Sequence, residues 1–421
     1  MAEEGREADV YVRLGGADVL AGRLWSRRRG NAESQTFAYD HAYPRVEGAY
    51  ELDPALGFLT GQHQTPLGRE IFGAFSDSSP DRWGRRLIAR AERRRAKREG
   101  RARRSFGETD LLLGVRDDLR QGALRFREPG AADFSAPEDR GVPAFLDLPE
   151  LLGAAERIER DEDDDETLET LLRGGSSLGG ARPKAHILGP DGQISIAKFP
   201  APSVDEWDVM RWEAVALQLA RDAGIRVPPS ELHMVDGRSV LVVERFDRVE
   251  GERVGYVSAM TMLERVDGES GSYLEIADVI TRNSPQATDD LRELWRRMAF
   301  SVLISNLDDH LRNHAFLRTS TAGWTLSPAF DLNPDPEPGE RLLRTAIDLD
   351  ENEAAVEPLM GVAEWFRLDA DEAIGVLGEV NAATARWREV GASHGAGRSE
   401  LELIEPAFAH AASESAREML G

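Results

Sequence analysis

The decapeptide SNLDDHLRNH, residues 305–314, determines how the rest of this sequence is interpreted. It follows an amphipathic stretch that predicts a helix, and it precedes a predicted β-hairpin that leads to a second acidic position, Asp331. A carboxylate at Asp308, an amide five positions later at Asn313 and another carboxylate beyond a hairpin form the pattern that kinases use for a general base and a metal site. The stretch therefore predicts phosphoryl transfer.

The neighbours of Asp308 leave two alternatives open. Asp309 is a second carboxylate, although the five-residue spacing to Asn313 favours Asp308 as the base. His310 and His314 suggest zinc, but the sequence has no cysteine, and its Asp and Asn oxygens suit Mg²⁺ better.

The composition restricts the class of protein. A chain of 421 residues without cysteine has no disulfide framework, and no apolar run approaches the roughly 20 residues that span a bilayer. The acidic N-terminus lacks the apolar core of a signal peptide, so we expect a cytoplasmic protein that does not bind membranes. A net charge of -24 argues against a protein that grips nucleic acid by itself.

The N-terminal third predicts a mixed α/β region. Apolar and polar residues alternate around Gly15-Gly16, which predicts a hairpin, and Ser79-Pro80-Asp81 predicts a helix start. Residues 148–173 are predicted to form one helix with Asp147 as its N-cap.

Two charged runs stand out in this part of the sequence. The basic run of residues 82–104 is interpreted as a solvated helix face, or else as a docking surface for a protein or for DNA held by a partner. The acidic run of residues 159–166 is interpreted as a solvated helical or linker surface, or else as a weak cation-binding surface.

A glycine-rich stretch, GGSSLGGARPK at residues 174–184, precedes two predicted short strands. Glycines let backbone N–H groups approach phosphates closely, although a flexible linker has the same composition. Lys198 lies in the second strand, where a kinase places its phosphate-binding lysine, or else its ammonium group reaches solvent from an edge strand. Glu213, on a predicted helix over residues 209–223, is the candidate ion-pair partner for that lysine.

A continuous apolar strand then ends in Glu244, Arg245 and Phe246. Backbone groups at these positions suit an adenine edge, and a buried strand with a turn is the simpler alternative. What supports a kinase is the order in which all of these signals occur.

The motifs together resemble the HipA-family kinases, the toxin components of bacterial type II toxin–antitoxin pairs. The resemblance rests on SLGGARPK (177–184), IAKFP (196–200), VERFDR (243–248), NLDDHLRN (306–313) and PAFD (328–331), with a softer match in FSDSSPDRWG (75–84). It implies an α+β, bilobal, protein-kinase-like fold with a mixed α/β N-terminal region and a mostly helical C-terminal lobe. The implied domains are an N-terminal subdomain (1–130), a linker and helix (131–173), the nucleotide-binding part of the N-lobe (174–247) and a helical C-lobe with the catalytic loop (248–421).

The family implies an ATP- and Mg²⁺-dependent serine/threonine protein kinase that acts as a toxin. Its best-known substrate is a translation component, glutamyl-tRNA synthetase. The usual partner is a HipB-like helix-turn-helix antitoxin, and DNA is bound mainly through that partner, consistent with the charge of -24. Autophosphorylation of Ser177 in the nucleotide loop is implied as an off-switch; Ser176 is a second candidate, and a loop-capping serine is the alternative role.

By the same resemblance, Asp308 is the catalytic residue, and Asn313 and Asp331 hold the metal. The implied ATP-binding positions are Gly179, Gly180, Ala181, Arg182, Pro183, Lys184, Lys198, Glu244, Arg245, Phe246, His310, Asn313 and Asp331. The sequence departs from the family prototype at Leu307 and Asp309, where smaller neutral residues are usual, and at Arg182-Pro183, which stiffens the loop.

These departures remove no functional group, but they leave the protein target and the toxicity open. Two rival hypotheses stand beside the toxin kinase. One is a small-molecule phosphotransferase with the same core, and the other is a kinase-like co-repressor without catalytic activity.

Overall fold

The N-terminal residues form an antiparallel sheet that starts from a tight hairpin. Strand β1 (Glu4–Leu14) pairs with β2 (Ala17–Arg29) across the turn Gly15-Gly16. Both glycines have positive φ, 53° and 79°, which glycine adopts without steric cost. The predicted hairpin is confirmed. The computed structural model describes residues 4–30, 32–135, 142–175, 180–189 and 192–421.

The chain folds into two compact units. Unit 1 comprises Met1–Ala197, Asp247–Val266 and Leu317–Thr321, and unit 2 comprises Lys198–Phe246, Asp267–Phe316 and Ala322–Gly421. The four domain boundaries given above remain a prediction.

The elements are given in chain order. Up to Lys198 they are β1, β2, β3 (Ala32–Tyr39), β4 (His63–Gln64), α1 (Gly73–Asp77), α2 (Arg82–Glu99), α3 (Glu108–Leu113), β5 (Leu124–Arg127), α4 (Leu148–Glu159), α5 (Asp165–Arg173), β6 (Lys184–Leu188) and β7 (Ile194–Lys198). Up to Ile304 they are α6 (Val209–Asp222), β8 (Ser230–Val235), β9 (Arg238–Glu244), β10 (Arg248–Val249), β11 (Glu252–Arg253), β12 (Gly255–Ser258), α7 (Ala259–Met262), β13 (Gly271–Ser272), α8 (Tyr273–Asn283) and α9 (Ala287–Ile304). Beyond it they are β14 (Ala315–Ser320), β15 (Gly323–Leu326), β16 (Thr345–Ala346), α10 (Val356–Gly361), α11 (Ala370–Thr384), α12 (Trp387–Ser393), α13 (Arg398–Ile404) and α14 (Ala411–Leu420).

Unit 1 is built on a five-stranded sheet with the order β4-β3-β2-β1-β5. Aromatic side chains that are removed from water form its core, and the ring of Phe75 contacts Phe37, Phe72 and Phe126 edge-on at centroid distances of 5.4–5.7 Å. Large buried rings of this kind contribute most of the apolar area that stabilises such a layer.

Helix α2 begins where the sequence predicted. The Asp81 side chain accepts a hydrogen bond from Gly84 N at 2.7 Å and so caps the helix, which ends at Gly100 with φ 63°. The indole of Trp83 is buried and donates to Lys184 O at 3.0 Å. The start of α2 is therefore fixed to the first residue of β6.

The prediction of one helix over residues 148–173 is wrong. The chain leaves the helix after α4 and starts a new one, α5, because Asp164 accepts from Thr167 N at 2.8 Å and caps a second N-terminus. Asp147 makes no side-chain cap on α4; its carboxylate accepts from Ala144 N instead. The acidic run is thus the site of the helix break.

The basic and the acidic runs pair with each other. Arginines at four-residue spacing on α2 contact successive acids from the last residue of α4 to the first residue of α5: Arg86–Glu159 (2.5 Å), Arg90–Asp161, Arg90–Asp163 (2.5 Å), Arg94–Asp163 (3.0 Å) and Arg98–Asp165 (2.5 Å). Within the described part of the chain, Arg82, Arg93 and Lys97 of the same helix are exposed and make no side-chain ion pair. We call these three residues the cationic stripe.

Unit 2 is mostly helical, and its strands include the β8–β9 hairpin, the short parallel pair β13–β16 and β15. Trp212 of α6 and Trp295 and Phe300 of α9 are fully buried in it. The predicted α+β class, with a mixed N-terminal part and a mainly helical C-terminal part, is confirmed. None of the helices in the described ranges is long and apolar enough to cross a membrane.

Candidate active site

A buried ammonium group lies between two carboxylates in unit 2. Lys198 Nζ is 2.5 Å from Glu213 Oε1 and 2.9 Å from Asp331 Oδ1. Burial alone would lower the pKa of Lys198, but the charges of Asp331 and Glu213 outweigh it, so the pKa lies above its ordinary value. The lysine is therefore held in its charged form. The structure contains the ion pair between Lys198 and Glu213 that the sequence suggested.

Asp331 has an unusual backbone conformation. Its φ is 60°, in the left-handed region that residues other than Gly, Asn and Asp seldom adopt. The preceding ring, Phe330, contacts Phe246 at a centroid distance of 5.4 Å. These features fix the carboxylate beside Lys198, where it remains one-third exposed.

A left-handed residue and two side-chain hydrogen bonds fix the segment just before Asp308. Helix α9 ends at Ser305, which adopts φ 54° and donates from Oγ to Ala407 O at 3.0 Å. The Asn306 side chain then accepts a hydrogen bond from Asn333 N at 3.1 Å. Asn306 thus ties the segment that carries Asp308 to the residues just after Asp331, a contact that no local pattern in the sequence indicates.

Asp308 and Asp309 have opposite environments. The Asp308 side chain is 73% exposed and its Oδ1 lies 3.0 Å from Arg344 Nε, whereas the Asp309 side chain is 5% exposed. Asn313 Nδ2 donates to the carbonyl oxygen of Asp308 at 3.3 Å and fixes the turn between them. Of the two aspartates, only Asp308 exposes its carboxylate to solvent.

Asp309 is a structural acceptor within unit 2. Its carboxylate accepts from the hydroxyl of Tyr273, from Ser301 Oγ at 3.3 Å, and pairs with His314 Nε2 at 3.2 Å. Burial by itself would raise the pKa of Asp309, but His314 and the Tyr273 hydrogen bond outweigh it, so the pKa lies below its ordinary value. These contacts distinguish the buried Asp309 from the exposed Asp308, two positions that the sequence alone does not distinguish.

The predicted metal ligands offer oxygen atoms. Asn313 directs its amide nitrogen to Asp308 O, which leaves its side-chain oxygen for another partner, and Asp331 offers a carboxylate. Both are the hard oxygen donors that Mg²⁺ prefers, so the residues fit this ion. Among the described residues there is no group of three His, Cys, Asp or Glu side chains able to hold a metal, and His314 is paired with Asp309. His310 opens the turn, where its carbonyl accepts from Asn313 N at 2.8 Å.

The glycine-rich stretch belongs to unit 1 from Gly180 onward. Ser176, Ser177 and Gly179, which carry the predicted autophosphorylation and part of the predicted loop, lie outside the described residues. Of the remaining positions, Ala181 is exposed, Gly180 and Arg182 are half-buried, and Pro183 and Lys184 are buried.

The Lys184 ammonium group contacts a carboxylate of unit 1. Its Nζ lies 3.1 Å from Asp81 Oδ2, and both side chains are less than one-tenth exposed. No local pattern in the sequence indicates this contact, and the role of Lys184 toward ATP phosphates stays a prediction.

The predicted adenine contacts lie at the end of β9. Glu244 is exposed, Phe246 is half-buried and the Arg245 side chain is buried. Glu244 N donates to Pro229 O at 2.9 Å, and the contacts of these three residues with adenine stay a prediction.

A comparison with known families agrees with this geometry. Residues 176–391, just over half of the chain, match the family model described as the HipA-like C-terminal domain. The chain belongs to the HipA family. This match contains Lys198, Glu213, Asp308, Asn313 and Asp331.

Two curated relatives of this HipA-family chain carry kinase names. The "Putative kinase" of Haemophilus influenzae is 23% identical over 195 residues, covering 41% of this chain and 57% of the relative. The "Putative kinase Y4mE" of Sinorhizobium fredii is 26% identical over 211 residues, covering 41% of this chain and 48% of the relative. The chain thus spans about half the length of the curated relatives it matches.

A solved structure shares the fold. The toxin–antitoxin system HipA of Shewanella oneidensis MR-1, solved with HipB and its operator DNA, is similar with a TM-score of 0.65 over 98% of this chain and 96% of that one. The sequence identity is 17%, so this similarity shows the fold of this HipA-family chain and nothing finer.

The two aspartates should respond differently to amide replacement. Asp309→Asn should lower the free energy of unfolding by about 1–3 kcal/mol, because Tyr273 and His314 lose a charged acceptor. Asp308→Asn should change it by less than about 0.5 kcal/mol, since that side chain is exposed. Urea unfolding followed by tryptophan fluorescence measures both values.

The pH dependence provides a second test of Asp309. Because its folded-state pKa is depressed, its stabilising contribution is present above the ordinary aspartate pKa of about 3.9 and is lost as the pH falls through the lower folded-state value. Asp309→Asn should remove this part of the acid dependence. Equal stability losses in the two variants would contradict the assignment of Asp309 as the structural residue.

Proposed function

We propose that this chain is an ATP- and Mg²⁺-dependent protein serine/threonine kinase, a HipA-like toxin restrained by a small antitoxin. The observation that carries the proposal is the group of Lys198, Glu213 and Asp331, held in one unit with an exposed Asp308 and its turn partner Asn313. Charged groups arranged in this way suit phosphoryl transfer, which depends mainly on positioning and charge neutralisation.

Each residue has a defined part in the proposed reaction. Asp308 accepts the proton of the attacking hydroxyl, because its carboxylate is accessible. Lys198 neutralises the phosphates that are not transferred, and Glu213 keeps its ammonium group in place. Asn313 and Asp331 would hold Mg²⁺, which supplies positive charge to the phosphate oxygens when bound.

The nucleotide sites follow from the same assignment. Backbone groups of residues 180–184 cover the ATP phosphates, and the carbonyl of Glu244 with the backbone of Arg245 and Phe246 meets the adenine edge. His310, two positions after Asp308, is assigned to the same ATP site by the HipA resemblance. Phosphorylation of Ser177 would add a double negative charge to the loop and switch the kinase off.

The proposed substrate is a protein hydroxyl in the translation apparatus, as the HipA resemblance implies. The proposed partner is a HipB-like antitoxin that carries the complex on DNA, since a chain of net charge -24 repels phosphates by itself. The Shewanella oneidensis structure, which contains HipA, HipB and operator DNA, supports this partner.

Asp308→Asn should abolish transfer of the γ-phosphate while leaving ATP binding within about threefold, since the exposed amide keeps the shape but cannot accept the proton. The measurement uses γ-labelled ATP with a lysate of the host cell, resolved on a gel, and Asp350→Asn, an exposed acid outside the proposed site, serves as the control. Label in a protein band supports a protein kinase, whereas label only in small molecules supports the phosphotransferase alternative. Undiminished transfer by Asp308→Asn would overturn the assignment.

The cationic stripe should contribute to the DNA complex. Changing Arg82, Arg93 and Lys97 to Gln together should weaken binding of operator DNA by the complex of this chain with its proposed HipB-like antitoxin. The slope of log affinity against log salt should become shallower by up to about three, one for each lost phosphate contact.

A matched control neutralises three exposed arginines of unit 2, Arg386, Arg388 and Arg398, and should leave the slope unchanged. Fluorescence anisotropy over a salt series measures both variants. Identical slopes for the stripe variant and the wild type would assign the stripe to solvated surface only.

A further inference from the structure

Arg344 lies beside the proposed base, and its backbone is fixed there. Its N–H donates to Leu307 O at 3.1 Å, one residue before Asp308. The residues on either side of it, Leu343 and Thr345, are buried, and Thr345 begins the short strand β16 that pairs with β13. The guanidinium group is therefore delivered to Asp308 by a fixed segment of chain.

The guanidinium group of Arg344 keeps its hydrogen-bonding capacity. Its Nε is 3.0 Å from Asp308 Oδ1, yet within the described ranges none of its side-chain N–H groups donates a hydrogen bond, and the side chain is 67% exposed. Other arginines of the chain differ: Arg85, for instance, donates twice to Glu108 at 2.6 Å. Arg344 thus places an accessible planar donor next to the base, where a surface ion pair alone would contribute little to stability.

We propose that Arg344 is a catalytic residue that contacts the phosphoryl group during its transfer; this inference rests on the proposed kinase function. The hydroxyl oxygen of the substrate forms a bond to the γ-phosphorus, the bond from that phosphorus to the β–γ bridging oxygen breaks, and its electron pair leaves with ADP. The hydroxyl proton passes to Asp308. Negative charge on the transferring oxygens is then met by a guanidinium fork that matches their geometry.

The position of Arg344 favours this role over ground-state binding of ATP. An arginine that contacts Asp308 lies where the hydroxyl and the γ-phosphorus meet, whereas the phosphates that stay on ADP are assigned to Lys198. Interactions that are made only in the transition state raise kcat and leave KM nearly unchanged. The two roles are therefore separable by experiment.

The test compares Arg344→Gln and Arg344→Lys with the wild type, using Arg398→Gln as a matched control at an exposed arginine on α13. We expect Arg344→Gln to lower kcat by about 100-fold with both KM values within about threefold, and Arg344→Lys to recover part of the loss. The control should match the wild type.

A binding measurement gives a readout besides activity. By calorimetry with Mg²⁺ in the buffer, Arg344→Gln should weaken binding of ADP with aluminium fluoride, a mimic of the transferring phosphoryl group, by about tenfold or more, and should leave ADP binding unchanged.

Equal weakening of ADP and of the mimic, or a raised KM with an intact kcat, would overturn the proposal in favour of ground-state binding. If the wild type transfers phosphate and Arg344→Gln transfers it equally well, the proposed role of Arg344 is overturned as well, but the proposed kinase function is not. If the wild type transfers no phosphate at all and binds the mimic no better than ADP, the kinase function fails together with this inference.

Discussion

An ammonium group between two carboxylates is the interaction on which the proposed site depends. Removing a charged lysine from water costs several kcal/mol, so Lys198 is tolerated in its largely buried position only because Glu213 and Asp331 both contact it. Lys198 begins the first segment of unit 2, Glu213 lies on α6 and Asp331 follows β15, so one ionic group joins three positions that are far apart along the chain of unit 2. The two carboxylates keep the lysine positively charged, and a positively charged group is what a phosphate contact needs.

The accessible carboxylate is supported by its buried neighbour. Asp309 engages Tyr273 and His314 and holds the turn, while Asp308, one residue earlier, faces solvent beside Arg344. Because Asp309 is buried in its own hydrogen bonds, this extra acidic residue of the HipA-like motif does not replace the exposed carboxylate of Asp308. Arg344, which is far along the chain, contacts the exposed Asp308 at the point where we propose that charge develops.

Sequence patterns predicted the features that depend on neighbouring residues or on the order of the motifs. The Gly15-Gly16 hairpin, the Asp81 cap and the ion pair from Lys198 to Glu213 followed from turn chemistry, capping and the motif order of a kinase. Contacts between distant residues were missed, because composition does not show which charges meet. The arginines of α2 and the acids near α5 lie about 70 positions apart, so each run by itself favours a solvated surface, and the acidic composition alone does not indicate that a new helix begins after Asp164. The contacts of Lys184 and Arg344 were missed for the same reason.

Mg²⁺-dependent binding of ATP is the most direct test of the proposed site. It depends on Lys198, Glu213 and Asp331 and not on the identity of the substrate. Calorimetry of the wild type should show ATP binding that strengthens at least tenfold when Mg²⁺ is added, and Asp331→Asn should lose that dependence while remaining folded. ATP binding with no Mg²⁺ dependence in the wild type, or an unchanged dependence in Asp331→Asn, would contradict the claim that this chain is a kinase of the HipA family with Asp331 at its metal site.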